Sequence, residues 1–353
     1  MKKLYVLFAI LLVLGSLFTV SGIAKAKDKA KDIAVVPTMN TQDSTPNRIW
    51  VGTFQIVWNE VMNNITKGPV EFLQGSNSTL ENLNRQEFKK SDINENSYYT
   101  NFGKMTPNLK KAIEKGIKEK FDETSDILNS LEWKKHSENI IFYAMLKKDF
   151  KFLEAFDKLK EESFGTNPNN VKYFGIDNHS KAKLYKNVSV LFYNNENDFG
   201  VKLHTQGDDE VVLYRTDDDL TFDRYFEDLK RKSQDYDGNK YFGHYDRLKV
   251  PNINLYQIAN FPEVEGKDIK DKDLRISSTI ETIDFRMDNE GVKLKSEAAI
   301  VMMTTAMPVR RPQIRYFYCN DNFVLFLIEK DKTVPYYAMR VHDVETLNKT
   351  GRK

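Results

Sequence analysis

The chain has 353 residues, of which 40% are hydrophobic and 29% are charged. This composition excludes collagen-like, low-complexity and wholly disordered proteins. The formal charge is 53 − 51 = +2, which gives no electrostatic case for a nucleic-acid partner, because phosphate binding needs a clustered excess of cations. Cys319 is the single cysteine. An intrachain disulfide is therefore excluded, and stability has to come from the hydrophobic core.

The first 26 residues have the pattern of a signal peptide. Lys2 and Lys3 precede an apolar run over residues 4–20, and Ala24-Lys25-Ala26 then offers the small side chains that a signal peptidase reads. The alternative is a permanent membrane anchor, since the run lies at the lower limit for spanning a bilayer. Both interpretations predict a secreted or cell-surface protein, with membrane contact only if the leader is uncleaved.

The rest of the chain divides by composition. Residues 27–46 collect Lys, Asp, Pro, Thr, Asn and Ser around one short apolar patch, and we interpret them as a flexible stalk. We predict that residues 47–344 form a single domain and that residues 345–353 form a tail. We expect the protein to be a monomer.

Helical and strand patterns alternate along this domain. Apolar spacing predicts a helix over residues 50–65, Thr106-Pro107 predicts the start of a second one, and residues 221–232 predict a third. Residues 139–145 are apolar and aromatic, as in a strand buried on both faces. Further strands are predicted at residues 188–193, 201–203, 211–214, 248–255 and 280–287. The fold class is therefore α+β.

The carboxyl-terminal region predicts an apolar β-hairpin. Residues 323–328 are an unbroken apolar run, residues 329–333 turn the chain, and residues 336–341 return it. Such a hairpin belongs in the centre of a large mixed sheet that is covered on both faces. Since the core cannot be completed before these last residues pair, we expect slow folding.

No catalytic or metal-binding constellation is present in the sequence. The five histidines are scattered, and Cys319 beside an apolar strand is interpreted as a buried packing residue. Acidic runs at residues 208–210 and 217–219 lack the spacing of a calcium loop, so solvated turns are favoured over a calcium site. We expect neither an enzyme nor a cofactor.

Residues 276–312 form the most unusual segment. A strand ends at Asp288-Asn289-Glu290-Gly291, residues 292–300 alternate with period 2, and Pro308 and Pro312 break the pattern before the hairpin. This arrangement resembles the reactive-loop hinge of the serpin family. Asn139-Ile140-Ile141-Phe142-Tyr143 is similar to another serpin strand, and Leu248-Lys249-Val250-Pro251-Asn252-Ile253 to a third. The resemblance is good over 274–344, and it implies a serpin-like fold with an N-terminal helical region.

The hinge departs from the family pattern. Inhibitory serpins carry Thr or Ser and then alanines after the hinge glycine, because the loop slides into the main sheet. This sequence instead has bulky and charged residues there, namely Val292, Lys293, Leu294, Lys295, Ser296 and Glu297. Glu281 stands where serpins place a histidine at the gate of the sheet, and Asn139 is the other gate residue that the resemblance implies.

The resemblance implies two functions. The first is inhibition of an extracellular serine (or cysteine) protease by cleavage and insertion of the loop, with the reactive bond at Thr305–Ala306, or cleavage at Arg310 or Arg311 in another register. The second is a non-inhibitory serpin fold that acts as an extracellular or cell-surface binding protein, since a fold does not determine a function.

Overall fold

Three β-sheets and five α-helices make up the part of the chain that the computed structural model describes, which is residues 6–14, 32–290 and 314–352, the first range as backbone only. The predicted α+β fold class is confirmed.

The first sheet, which we call the large sheet, has six strands and contains the predicted strand after Asn139. Its order is β12-β14-β1-β5-β4, with β13 paired to β14. The strands are β1 (Val6–Leu14), β4 (Tyr98–Lys104), β5 (Ile140–Lys148), β12 (Ile253–Ala259), β13 (Lys267–Asp268) and β14 (Arg275–Met287). A segment near the start of the chain therefore meets strands from residues 98–148 and 253–287 in one sheet.

Both faces of this sheet are covered. Helix α1 (Gly52–Val61) packs against β5 and β1 within the main core. Helix α3 (Pro107–Phe121) lies at the other face, where a smaller core joins it to β5 and β14. Thr106 caps α3 as predicted, because its Oγ1 accepts a hydrogen bond from the Leu109 N–H at 3.3 Å. A strand in the middle of this sheet is therefore shielded from solvent on both sides.

The C-terminal hairpin lies at the centre of the second sheet. The order is β2-β3-β17-β16-β10-β9-β8. Its strands are β2 (Ile33–Val36), β3 (Asn47–Val51), β8 (Val188–Asn195), β9 (Asp198–His204), β10 (Asp209–Arg215), β16 (Phe323–Glu329) and β17 (Tyr337–Val341). Every residue of β16 and β17 is buried, which confirms the predicted burial of the hairpin.

A third sheet and three helices complete the fold. The sheet has the order β15-β11-β7-β6. Its strands are β6 (Asp157–Phe164), β7 (Asn167–Ile176), β11 (Asp246–Pro251) and β15 (Arg315–Tyr318). The remaining helices are α2 (Ser78–Asn84), α4 (Phe222–Asp235) and α5 (Val344–Asn348).

Both segments flanking the predicted domain belong to the fold, at least in part. From Ile33 onward the predicted stalk is wrong, because β2 pairs in parallel with β3 and the Val36 and Met39 side chains are buried. The predicted tail is also wrong, since α5 runs to Asn348 and buries Leu347. In both segments, apolar side chains within an otherwise polar stretch pack into the hydrophobic core.

Candidate functional site at the centre of the large sheet

Strand β1 occupies a position between β5 and β14. It is antiparallel to both, with Ile10 opposite Ala144 on one side and Glu281 on the other. The ladder to β5 runs without a break from Val6–Lys148 to Leu14–Ile140, and the ladder to β14 has one irregularity, between Val13 and Leu14. Strands β5 and β14 are therefore parallel to each other and separated by one strand position.

Glu281 is a carboxylate buried in this region. Its side chain is 1% exposed, and both carboxylate oxygens lack a hydrogen-bond partner among the described residues. Burial raises the pKa of Glu281 well above its usual value of 4.5, because water no longer stabilises the charged form. At neutral pH the Glu281 carboxyl group is either protonated or charged at a large cost in desolvation free energy.

The two predicted gate residues do not meet. Asn139 immediately precedes β5, where its carbonyl accepts a hydrogen bond from the Met105 N–H at 2.8 Å. Glu281 is level with Ala144, five positions along the same strand, which corresponds to about 16 Å at 3.3 Å per residue. A gate formed by direct contact of Asn139 and Glu281 is therefore not present, because the register places them at different levels.

The segment that follows β14, up to the predicted hinge residue Glu290, is anchored where it leaves the sheet. After β14, the Asn289 carbonyl accepts a hydrogen bond from the Phe156 N–H at 2.8 Å, and Asn289 Nδ2 donates to the Phe156 carbonyl at 3.2 Å. The Glu290 N–H donates to Asp288 Oδ1 at 2.9 Å. The chain therefore departs from a fixed point beside the end of β1 where Val6 is opposite Phe285.

The loop residues predicted from the resemblance lie outside the described residues. This applies to the hinge positions after Glu290 and to both candidate cleavage sites, namely Gly291, Val292, Leu294, Ser296, Thr305, Ala306, Arg310 and Arg311. Those interpretations remain predictions.

A buried ionic cluster joins the large sheet to the hairpin sheet. Lys148 at the end of β5 forms ion pairs with Asp209, at 2.9 Å, and with Glu329. Tyr336 donates its hydroxyl to Asp209 Oδ1 at 3.0 Å. Burial raises the pKa of Asp209, although Lys148 opposes the shift. Sequence analysis missed this cluster, because Lys148 and Glu329 are 181 residues apart in the chain.

The acidic runs are used for structure. Asp209 belongs to the ionic cluster, Glu210 pairs with Lys202 at 2.8 Å, and Asp219 pairs with Arg48 at 2.5 Å. The sequence favoured solvated turns for both acidic runs. The ion pairs show that this interpretation does not hold for every residue of the two runs. Across the described ranges no group of three or more His, Cys, Asp or Glu side chains is placed to hold a metal ion.

Cys319 is the predicted buried packing residue. It is fully buried in the main core, and burial raises the pKa of its thiol to about 12. A thiol that holds its proton at neutral pH is a poor nucleophile. The prediction for Cys319 is confirmed.

Solved structures similar to this one include serpins. The match to human thyroxine-binding globulin has 12% identity and a TM-score of 0.41, and covers 67% of this chain and 64% of that one. Serpin48 of the insect Tenebrio molitor matches at 13% identity and a TM-score of 0.39, covering 84% and 74%. Human kallistatin matches at 12% identity and a TM-score of 0.40, covering 78% and 72%.

The match therefore spans less than two thirds of the thyroxine-binding globulin chain. No protein-family model matches the sequence, and no curated protein matches it. The described residues include no helix long and apolar enough to cross a membrane.

Proposed function

We propose that the processed protein is a secreted or cell-surface serpin-like protein whose exposed loop is cleaved by an extracellular serine or cysteine protease and then joins the large sheet. One observation carries this proposal. The large sheet holds a strand between β5 and β14 that is antiparallel to both. A segment that follows β14 and reverses direction runs antiparallel to β14, which is the direction this position requires.

The sum of the free-energy contributions favours insertion of the cleaved loop into the large sheet. Each backbone hydrogen bond gained contributes about 0.5–1.5 kcal/mol, and each large apolar side chain that becomes buried contributes about 1.5–3 kcal/mol. Bulky Leu294 opposes insertion by overpacking, at about 1–3 kcal/mol, and buried Glu281 adds a further cost. The cleaved form should therefore be the more stable one.

The rate of insertion decides between an inhibitor and a substrate. Large side chains at Val292 and Leu294 slow the opening of the sheet. If the loop inserts slowly, the protease completes hydrolysis and dissociates. We therefore expect cleavage at Thr305–Ala306, Arg310 or Arg311 with few covalent complexes. The same hinge favours the second candidate function, a non-inhibitory extracellular binding protein.

The melting temperature before and after nicking tests the proposal. The protein without residues 1–26, purified from a secreting host, is nicked within residues 300–312 and melted. We expect a higher melting temperature after the nick, and no rise in the matched variant Leu294→Pro, since proline cannot donate to a central ladder. An unchanged melting temperature in the unsubstituted protein would refute insertion and with it an inhibitory role.

A further inference from the structure

Ser189, His204 and Glu210 come together on one face of the second sheet. They lie in the adjacent strands β8, β9 and β10. Ser189 is opposite Lys202, and Glu210 is opposite His204. Because residues two apart in a strand point to the same face, this register places all four side chains on one side of the sheet. The sheet register, and not a sequence motif, brings these residues together.

The contacts within this cluster have the order of a nucleophile, a base and an orienting carboxylate. Ser189 Oγ lies 2.7 Å from His204 Nε2. The other ring nitrogen, His204 Nδ1, lies 3.8 Å from Glu210 Oε1, a separation that is common in such sites before the substrate binds. The carboxylate favours the tautomer with the proton on Nδ1. His204 Nε2 then accepts the hydrogen bond from the Ser189 hydroxyl, as a general base requires.

His204 is in its neutral form at pH 7. Burial lowers the pKa of His204 below its usual value of 6.5. The ammonium groups of Lys202 and Lys330 lower this pKa further, whereas the Glu210 carboxylate raises it. The segments that flank these strands carry further cations, namely Lys151 before β6, Lys232 of α4, which pairs with Asp198, and Lys240, whose Nζ donates to the Ser233 carbonyl.

The cluster is open to solvent on one side. The side chains of His204 and Lys202 are each 29% exposed, and that of Glu210 is 10% exposed. Lys202 Nζ lies 2.8 Å from Glu210 Oε2. Since Lys202 is directly opposite Ser189, its positive charge lies beside the place where a negatively charged oxygen develops during acyl transfer. A small ester therefore reaches Ser189 directly from solvent.

We propose that Ser189 is the nucleophile of a slow esterase site for small carboxylic esters, with His204 as general base and Glu210 as the positioning residue for His204. Ser189 Oγ bonds to the carbonyl carbon while its proton passes to His204 Nε2. The bond from this carbon to the alcohol oxygen breaks, and the alcohol leaves with that proton. Water then attacks the acyl carbon, His204 passes the water proton to Ser189 Oγ, and the carboxylic acid is released.

This inference does not depend on loop cleavage or insertion. It adds an activity to a protein for which the sequence predicted no enzyme, because Ser189, His204 and Glu210 meet only in the folded sheet. The two proposals are tested by different measurements, so either one can fail alone.

The position of the acetyl group tests the nucleophile in the full chain. The protein is mixed with p-nitrophenyl acetate at neutral pH, quenched in acid and mapped by mass spectrometry of its peptides. We expect at least about tenfold more acetyl at Ser189 than at Ser163, an exposed serine of β6. Equal acetylation of these two serines would overturn the proposal. Acetyl groups on Lys202 or His204 without any on Ser189 would also overturn it.

Two variants and a control test the role of the base. Ser189→Ala and His204→Gln should each lower the rate of p-nitrophenolate release by about a hundredfold. The control His179→Gln changes an exposed histidine outside the cluster, and its rate should equal that of the unsubstituted protein. Circular dichroism verifies that each variant is folded, and the acetyl mapping needs no variant. An unchanged rate in His204→Gln would overturn the proposal.

The dependence of this rate on pH tests the positioning role of Glu210. Neutral His204 is the reactive form, so the rate should rise with pH to a plateau, with a midpoint below 6.5. Glu210→Gln removes a charge that raises the pKa of His204, so its midpoint should move to lower pH. Lys202→Met removes a charge that lowers this pKa, so its midpoint should move to higher pH. Unchanged midpoints, or shifts in the same direction, would contradict the assignment of His204 as the base.

Discussion

Two of the buried charged residues, Lys148 and Glu281, lie in strands of the large sheet. Glu281 lies in β14 between Ala259 of β12 and Ile10 of β1, with no partner for its carboxylate among the described residues. An unpaired buried charge is costly unless the group becomes neutral. Glu281 therefore makes stability depend on pH.

Replacing Glu281 by glutamine should stabilise the protein at neutral pH. The folded-state pKa is raised above 4.5, so the folded state keeps a proton that the unfolded state releases. Stability then falls as the pH rises above 4.5, by about 1.4 kcal/mol per pH unit up to the folded-state pKa. The variant Glu281→Gln lacks this loss, and urea unfolding between pH 4 and 8 measures it.

The control for this pH series is Glu138→Gln. Its side chain is 80% exposed and pairs with Lys104 at 2.7 Å. An exposed pair contributes about 0–1 kcal/mol, so this variant should follow the unsubstituted protein. A pH slope that is the same in Glu281→Gln and in the unsubstituted protein would contradict the assignment.

Lys148 forms ion pairs with two buried carboxylates, those of Asp209 and Glu329. Its replacement in Lys148→Met leaves Asp209 and Glu329 without their ion pairs, which should lower the free energy of unfolding by about 3–5 kcal/mol at pH 7. The loss should shrink at pH 4, because burial raises the pKa of the orphaned Asp209 carboxyl group, which then takes up a proton. Urea unfolding measures both values, and Lys104→Met in the exposed pair with Glu138 is the control, with a change of about 0–1 kcal/mol.

Among the elements, the hairpin β16–β17 contributes the central strands of the second sheet. Phe326 is 0% exposed, and its ring centroid is 5.1 Å from that of Phe226 in α4. Phe326→Ala should cost about 3–5 kcal/mol, since it removes buried apolar surface and leaves a cavity. Chemical denaturation measures this cost.

The exposed control is Tyr241→Ala, at a side chain that is 84% exposed. We expect a change within about 0.5 kcal/mol for this surface substitution. Equal effects of the two substitutions would show that the hairpin is not part of the cooperative core.

Predictability from sequence differed between elements for physical reasons. The run over residues 323–328 is apolar throughout, so its strand and burial follow from composition. Strand β6 was missed because it lies at a sheet edge, where most of its side chains are exposed and the backbone of β7 supplies the pairing. Strand β2 was assigned to a stalk because its pairing with β3 is a tertiary effect.

The candidate site was less predictable than the fold. The end of the strand before Asp288 could be predicted from the local pattern, whereas the hinge role of Glu290 and the residues after it remains a prediction. The ion pair between Lys148 and Glu329, and the pairing of residues 6–14 with β5 and β14, join segments far apart in the chain. Periodicity along the sequence contains no information about such contacts.

At the scale of the whole molecule, strands near the two ends of the chain pair with strands that are distant in the sequence. β1 pairs with strands that follow it by more than a hundred residues, and β17 pairs with β3 near the start of the domain. Non-local pairing of this kind slows folding, because loop closure precedes any stabilising contact. We therefore expect refolding to be slow and to compete with aggregation.

Limited proteolysis tests which segment of this molecule is accessible. Pro308 and Pro312 cannot donate a backbone hydrogen bond to a neighbouring strand, so we predict that residues 300–312 form an exposed loop, and exposed loops are the preferred sites of nicking. Trypsin should therefore cut first at Arg310 or Arg311, as mass mapping of the earliest fragments will show.

Helix α3 provides the internal comparison for this digestion. Its Lys115 and Lys118 side chains are 74% and 62% exposed, yet they lie in a helix that buries Ile113 and Ile117, so the protease needs local unfolding to reach the backbone. The double variant Arg310→Gln, Arg311→Gln should delay the first cut while the rate in α3 stays unchanged. A first cut within residues 107–121 would instead show that α3 opens more readily than the loop, and the sheet would then be accessible from its α3 face.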